Sequence, residues 1–239
     1  MSLPKNYLSM AQNTPEWLMA RCGLVTSSRI ADIVKKRKDG KPVAARHNYL
    51  MDKVTEVLTG RSTDNYVSQA MEFGIDNEPL ARTAYELSEN VEVASVGFVL
   101  HPKLPRCGAS PDGLIGDDGL VEFKVPNTAT HLEYIFADEV PDEYKPQMMW
   151  QMACAERDWC DFCSYDPRVP QEFSLFIKRF ERDNLMIIEM EKEVVKFITE
   201  MNVMCERLKV HAQAKARLVG PGPQASEIPD AAEWIGRTQ

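Results

Sequence analysis

No stretch of this 239-residue chain comes near the roughly 18 consecutive apolar residues that a membrane span requires, so no membrane association is expected. The opening segment, MSLPKNYLSM, lacks the apolar core of a secretory signal, and a cytoplasmic protein is the expectation. Cysteine is sparse. The six residues are scattered through a chain long enough to build a core without disulfides, so they are expected as reduced thiols. Cys160 and Cys163 lie three apart in an expected strand and point to opposite faces, and no second close pair exists. Zinc and iron–sulfur clusters therefore find no support. The histidines His47, His101, His131 and His211 show no ligand spacing. A Gly-x-Ser-x-Gly elbow is missing, which leaves a Ser–His–Asp hydrolase unsupported.

An excess of positive charge is also lacking. The formal net charge is −8, which taken alone argues against nucleic acid. Charge can be segregated, however, and then the total misleads. The segment RIADIVKKRKDGKPVAAR, from Arg29 to Arg46, holds seven bases and two acids, a local +5. Two readings stand here: a solvated helix end with its loop, or a phosphate-facing patch.

What is present reads as α+β. Thr14-Pro15-Glu16 caps and opens a helix, and TSSRIADIVKK offers a second cap and helix. Leu50, Val54, Val57 and Leu58 fall at helical spacing until Gly60 stops the run. SQAMEFGIDNEPLARTAYELSEN reads as helical, with a break near Gly74 and Pro79. Strands follow at VEVASVGFVLH, RCGASPDGLIG and GLVEFKVP, the last two joined by an Asp-Asp-Gly turn. TATHLEYIFADE and DEYKPQMMWQMACAER read as helices, the latter with Met148, Met149, Trp150 and Met152 as its core side. WCDFCSYDP and QEFSLFIKRF read as strands, and a long helix runs from about Asp183 to Ala214. The division expected is a single domain over residues 1–215 and a loosely docked or linker-like tail over 216–239, rich in Pro, Gly and small residues.

The segment SPDGLIGDDGLVEFKVP, Ser110 to Pro126, carries the chemistry. On a strand, Val121, Phe123 and Val125 point one way, and Glu122 and Lys124 the other, about 7 Å apart along the chain. If the two strands pair across the turn, Asp112 falls beside Glu122. Two close carboxylates repel, and a divalent cation removes the repulsion. Oxygen-only donors, including the carbonyl of Phe123, suit Mg²⁺, with Mn²⁺ as an alternative. Lys124 would then position a water. Taken alone, Glu-x-Lys on a strand is more often a plain surface pair. Arg21 and the hydroxyl of Ser28 are a candidate anion site, against the plainer reading of a surface arginine and a helix cap.

SPDG followed by EFK resembles the PD-(D/E)xK nuclease motif. More narrowly, WLMARCGLVTSS, FGIDNEPLART, CGASPDGL, VEFKVP and YDPR, in that order, resemble the phage lambda exonuclease and YqaJ-like viral recombinase family. The resemblance implies an α+β fold with a central mixed β-sheet flanked by helices. It implies Asp112, Glu122 and the Phe123 carbonyl as metal ligands, Lys124 as the catalytic lysine, and Glu78 as a further acid at the metal. Arg21, Ser28 and Ser110 match positions that hold a terminal 5′-phosphate. Gln147 matches a glutamine on the following helix. The family often has Gln-x-Gln there, whereas this chain reads Gln147-Met148-Met149, with Gln151 one turn on as a candidate substitute.

The function so implied is a Mg²⁺-dependent 5′-to-3′ exonuclease on double-stranded DNA, leaving 3′ overhangs for phage-type recombination by strand annealing. A homotrimer and a single-strand annealing protein as partner are implied with it. The alternatives are a structure-specific or site-specific DNA endonuclease on the same core, and a non-catalytic DNA-binding scaffold.

Overall fold

The computed structural model describes residues 7–63 and 69–219. By mutual contact the chain divides into two units, Met1–Met201 and Asn202–Gln239. The elements in order are β1 (Tyr7–Leu8), α1 (Pro15–Arg21), β2 (Val25–Thr26), a 3₁₀ turn at Ser27–Arg29, α2 (Ile30–Val34), α3 (Ala44–Thr59) and α4 (Gln69–Glu89). Then come β3 (Val93–Ala94), β4 (Phe98–Leu100), β5 (Cys107–Ala109), β6 (Gly113–Ile115), β7 (Gly119–Lys124), α5 (Thr128–Ala137) and α6 (Lys145–Ala155). β8 (Trp159–Tyr165), β9 (Leu175–Glu181) and α7 (Asn184–Val219) complete the set.

The strands form two sheets, ordered β1-β4-β5-β2 and β3-β6-β7-β8-β9. Both are mixed. β2 runs parallel to β5 in the first, β7 parallel to β8 in the second, and the other pairs are antiparallel. The expected α+β class with mixed sheet and flanking helices is what the chain adopts. The segment expected as one strand from Arg106 to Gly116 is in fact two. β5 belongs to the first sheet and β6 to the second, so Ser110-Pro111-Asp112 is the joint between them. Proline lacks the N–H a ladder needs, which ends β5 where the chain must change sheets.

Local signals place the helices. Thr14 Oγ1 accepts from Trp17 N at 3.3 Å, and Pro15 occupies the first turn of α1. Asn127 Oδ1 accepts from Thr130 N at 3.0 Å to start α5. Gly60 ends α3 at φ +64°. Pro146 sits in the first turn of α6, where its missing N–H costs nothing. The break expected near Gly74 and Pro79 does not occur, and α4 runs through both. Ile75 and Pro79 border an open cavity, so the turn of helix that contains the proline lies beside solvent-filled space. VEVASVGFVLH divides into β3 and β4 around Gly97. A Cβ on Gly97 would stand 2.4 Å from the Met10 carbonyl oxygen, so only glycine lets the β1 segment pass so close. TSSRIADIVKK yields a 3₁₀ turn and only five α-helical residues.

α4 seals one face of the second sheet. Ala81 and Tyr85 pack with Val93, Ile115, Val121, Phe123 and Cys163. On the opposite face Phe162 stacks with Tyr144 and meets Tyr134 edge-on, both ring pairs 5.4 Å apart. α6 is buried nearly all round, with Met148, Met149, Trp150 and Met152 fully enclosed, and each such side chain contributes about 1.5–3 kcal/mol. All six cysteines are free, as expected. Within the first unit, α7 contributes Ile187, Met190, Val194, Phe197 and Met201 to the core. The described part of the second unit is the end of α7, with a Lys209–Glu206 ion pair at 2.8 Å. The tail expected from 216 continues the helix to Val219, and its remainder, 220–239, lies outside the described residues. Among the described residues, no helix is long and apolar enough to cross a membrane.

Candidate active site

The β6–β7 hairpin pairs Gly113 with Val121 and Ile115 with Gly119, so Asp112 arrives at the level of Glu122. Its Oδ2 accepts from the backbone N–H of Phe123 at 2.7 Å. Val121 and Phe123 go into the α4 core, and Glu122 and Lys124 face α6, as strand alternation requires. Lys124 Nζ bonds Glu122 Oε1 and lies 5.0 Å from the Tyr144 ring centroid. Glu122 is 1% exposed.

Two helices close on the hairpin. From α6, Gln147 Nε2 donates to Glu122 Oε1 at 2.5 Å, and Gln151 Nε2 to Glu122 Oε2 at 2.6 Å. One helical turn separates the two amides, so each serves one carboxylate oxygen. Gln151, the candidate substitute for the second glutamine of the family's Gln-x-Gln, thus bonds the same carboxylate as Gln147. From α4, Glu78 borders the same cavity as Asp112. Arg82, one turn later, donates to the backbone carbonyl of Asp112 at 2.5 Å and to that of Val93 at 3.0 Å.

Burial, then the charges of Glu122 and Glu78, push the Asp112 carboxyl well above its usual range. Burial also raises Glu78, with Arg82 pulling it down and Glu122 pushing it up again. Burial disfavours the charged form of Lys124, but Glu122 and Asp112 outweigh it and hold the ammonium raised. This is a buried, electron-rich cluster, with Lys124 bonded to Glu122 and Arg82 bonded to the Asp112 carbonyl.

A cleft of about 630 Å³ joins Asp112, Glu122, Lys124 and Gln147 to Arg21, Ser28 and Ser110. All three expected phosphate ligands thus open on the same space as the acids. Arg21 is stacked 3.7 Å over the Trp17 ring, and the Trp17 indole N–H donates to Ser110 Oγ at 2.9 Å. His131 has no place in the cleft. It is fully buried, bonded to Ser164 Oγ and the Phe173 carbonyl, each at 2.7 Å, and it pins the 166–174 loop. Three neighbours were not singled out from sequence: Arg82, Tyr144 and Tyr49. An arginine on an amphipathic helix and a tyrosine at helical spacing look like surface and core, and only the fold reveals what they touch.

Among the described residues, no three His, Cys, Asp or Glu side chains converge closely enough to enclose an ion by themselves. The donor set nevertheless fits a hard divalent cation. Glu122 and Glu78 raise the proton affinity of Asp112, and Glu122 that of Glu78, which is the repulsion a cation relieves. Their oxygens, with a main-chain carbonyl, are the donor type that Mg²⁺ accepts.

The family model for the YqaJ-like viral recombinase domain matches residues 16–158, more than half of the chain. Among solved structures, the alkaline exonuclease LHK-Exo of Laribacter hongkongensis is similar at 43% identity, covering 85% of this chain and 100% of that one, with a TM-score of 0.79. Its complex with dAMP matches over the same shares with a TM-score of 0.80. A phage related exonuclease from Haemophilus somnus 129PT, 12% identical over 77% of this chain and 96% of that one, has a TM-score of 0.64 and speaks to the fold alone. The comparison with curated proteins gives no match. Motif order, hairpin geometry, whole-domain likeness and the domain model agree, and the chain belongs to the YqaJ-like viral recombinase family.

Proposed function

We propose that this DNA-cleaving hydrolase is a Mg²⁺-dependent exonuclease that removes 5′-mononucleotides from the 5′-ended strand of duplex DNA, leaving a 3′ overhang for strand annealing. The observation that carries the reading is the shared cleft, lined both by Arg21, Ser28 and Ser110 and by Asp112, Glu122 and Lys124. An acid cluster alone would serve any phosphodiesterase. An anion pocket beside it measures from a chain end.

Arg21 would grip the terminal phosphate through paired N–H donors, with Ser28 and Ser110 as hydroxyl donors. That sets the next phosphodiester at the acids. Asp112, Glu122, the Phe123 carbonyl and Glu78 would hold a divalent cation, which supplies charge neutralisation at the phosphate and a lower pKa for water. Lys124 Nζ orients the attacking water in line with the leaving 3′-oxygen and stabilises its negative charge. Gln147 and Gln151 fix Glu122 so that it does not swing. Water oxygen bonds to phosphorus and gives up a proton to solvent as the bond to the 3′-oxygen breaks, and the 3′-oxygen takes up a proton. The departing nucleotide carries the old 5′-phosphate, and the shortened strand ends in a new one. Each turn therefore regenerates the group that the pocket recognises.

We place this activity in one domain over residues 1–215, in a cytoplasmic protein. It would act as a homotrimer around duplex DNA, with a single-strand annealing protein taking the 3′ strand. The test is nucleotide release from a labelled duplex with and without a 5′-phosphate, in Mg²⁺ (or Mn²⁺) and in a chelator. The expected result is release only with the cation, faster from the phosphorylated end, and at least about 100-fold slower in Lys124→Ala. Undiminished release by Lys124→Ala, or release in the chelator, contradicts the proposal.

A further inference from the structure

The segment from Arg21 to Arg29 supplies most of the anion pocket, yet it is mainly turn. Something must hold it. α3 lies beneath it and touches it at two buried points. Glu56, 1% exposed, accepts from the backbone N–H of Gly23 at 2.7 Å. Its charge is balanced by Lys53 Nζ at 2.8 Å, itself 2% exposed. Two turns back, the Tyr49 hydroxyl accepts from the backbone N–H of Thr26 at 3.0 Å.

The direction of that bond matters. The Tyr49 oxygen is already accepting, so its own proton is free to be donated, and Thr26 Oγ1 stands 3.4 Å away. Thr26 Oγ1 is in turn 3.4 Å from Ser28 Oγ. These hydroxyl contacts are long and so contribute direction more than strength. If each oxygen accepts from the one before it, the Ser28 proton is the end of the relay and points into the cleft. A phosphate oxygen only accepts, so a serine with its proton turned outward is a donor prepared in advance. The same ring also seats Arg29, whose guanidinium carbon lies 4.6 Å from the Tyr49 centroid, and the ring is locked by stacking on Phe197 at 5.4 Å.

We propose that Tyr49 is a positioning residue for 5′-phosphate recognition, acting through Thr26 on Ser28, on a rigid base that α3 provides with Lys53 and Glu56. The inference rests on the proposed function in one respect, that the pocket binds a terminal phosphate. Tyr49 itself touches no substrate.

The variant Tyr49→Phe keeps the ring, its stacking and the Arg29 seat, and deletes only the hydroxyl. The probes are two otherwise identical fluorescent duplexes, one ending in a 5′-phosphate and one in a 5′-hydroxyl, bound by the full chain in a chelator so that no turnover is needed. The wild type binds the phosphorylated end more tightly. In Tyr49→Phe that preference falls roughly fivefold, as loss of one neutral hydrogen bond behind the donor predicts, while affinity for the 5′-hydroxyl duplex is unchanged. In Mg²⁺ the KM for phosphorylated ends rises and kcat stays. A merely structural role would weaken both duplexes alike. Thr26→Val, which leaves Tyr49 in place and cuts the relay, gives the same selective loss and stands in if Tyr49→Phe does not fold. An unchanged preference in both variants, or an equal loss for both duplexes, overturns the proposal and leaves the exonuclease reading intact. A wild type that does not distinguish the two ends removes the phosphate pocket, and this proposal with it.

Discussion

Glu122 receives three donors on two oxygens: Lys124 and Gln147 on Oε1, Gln151 on Oε2. A buried carboxylate so bonded has a single orientation, and pre-orientation is what a catalytic acid needs. Asp112 is fixed at both ends, its carboxylate by Phe123 N and its carbonyl by Arg82. Arg82→Ala should therefore do two things. It removes the guanidinium hydrogen bonds to the carbonyls of Asp112 and Val93, at a cost of about 1–3 kcal/mol, read as a lower denaturation midpoint. It also frees Asp112, so the Mg²⁺ concentration for half-maximal nucleotide release should rise several-fold. An unchanged Mg²⁺ dependence would mean that Arg82 supports the fold only. At this scale Asp112, Glu122 and Lys124 were legible in the sequence because strand alternation and a hairpin turn are enough to bring them together. Arg82 was not, because its partners are backbone carbonyls, which no side-chain pattern encodes.

Among the elements, α4 and the joint between β5 and β6 mark where local signals failed and why. Gly74 and Pro79 weaken a helix, yet α4 persists because Ala81 and Tyr85 bury against β7 and tertiary packing outweighs propensity. The stretch 106–116 reads as one strand because short apolar runs flank Ser110-Pro111-Asp112 on both sides, and pairing partners alone reveal that it serves two sheets. In the β4–β5 turn, His101 Nδ1 accepts from the N–H groups of Lys103 and Leu104 at 3.2 and 3.1 Å, and the ring stacks on Trp150. Burial, then the charges of Lys103 and Arg182, push this histidine down to about 4. The unfolded chain takes the proton near 6.5, the native chain only near 4, so stability falls as pH drops through that window and levels off below it. The full shift would be worth about 3 kcal/mol. Glu191 Oε1, 3.3 Å from Nε2, favours the proton and makes that an upper bound. His101→Gln should flatten the stability profile between pH 6.5 and 4 in chemical denaturation. An unaltered acid slope would show that His101 takes up its proton without cost.

For the whole molecule, the net charge of −8 is compatible with a DNA substrate because the working cations are local. Arg21 and Lys124 lie inside the cleft, and the lysine-rich loop after α2 is exposed on the first unit. A homotrimer would give DNA an encircled path and so long runs of cleavage without release. Light scattering on the eluting protein should then give about three times the chain mass of 27.1 kDa, and a mass of one chain would remove the ring. Whether this cleft hydrolyses DNA from a 5′ end is decided by digesting end-labelled linear duplex beside closed circular plasmid. The prediction is cation-dependent release of the 5′ label as mononucleotide from the linear DNA, with the 3′ label retained on a long strand and the plasmid left closed. Nicking or linearisation of the plasmid, or release of the 3′ label first, would contradict it.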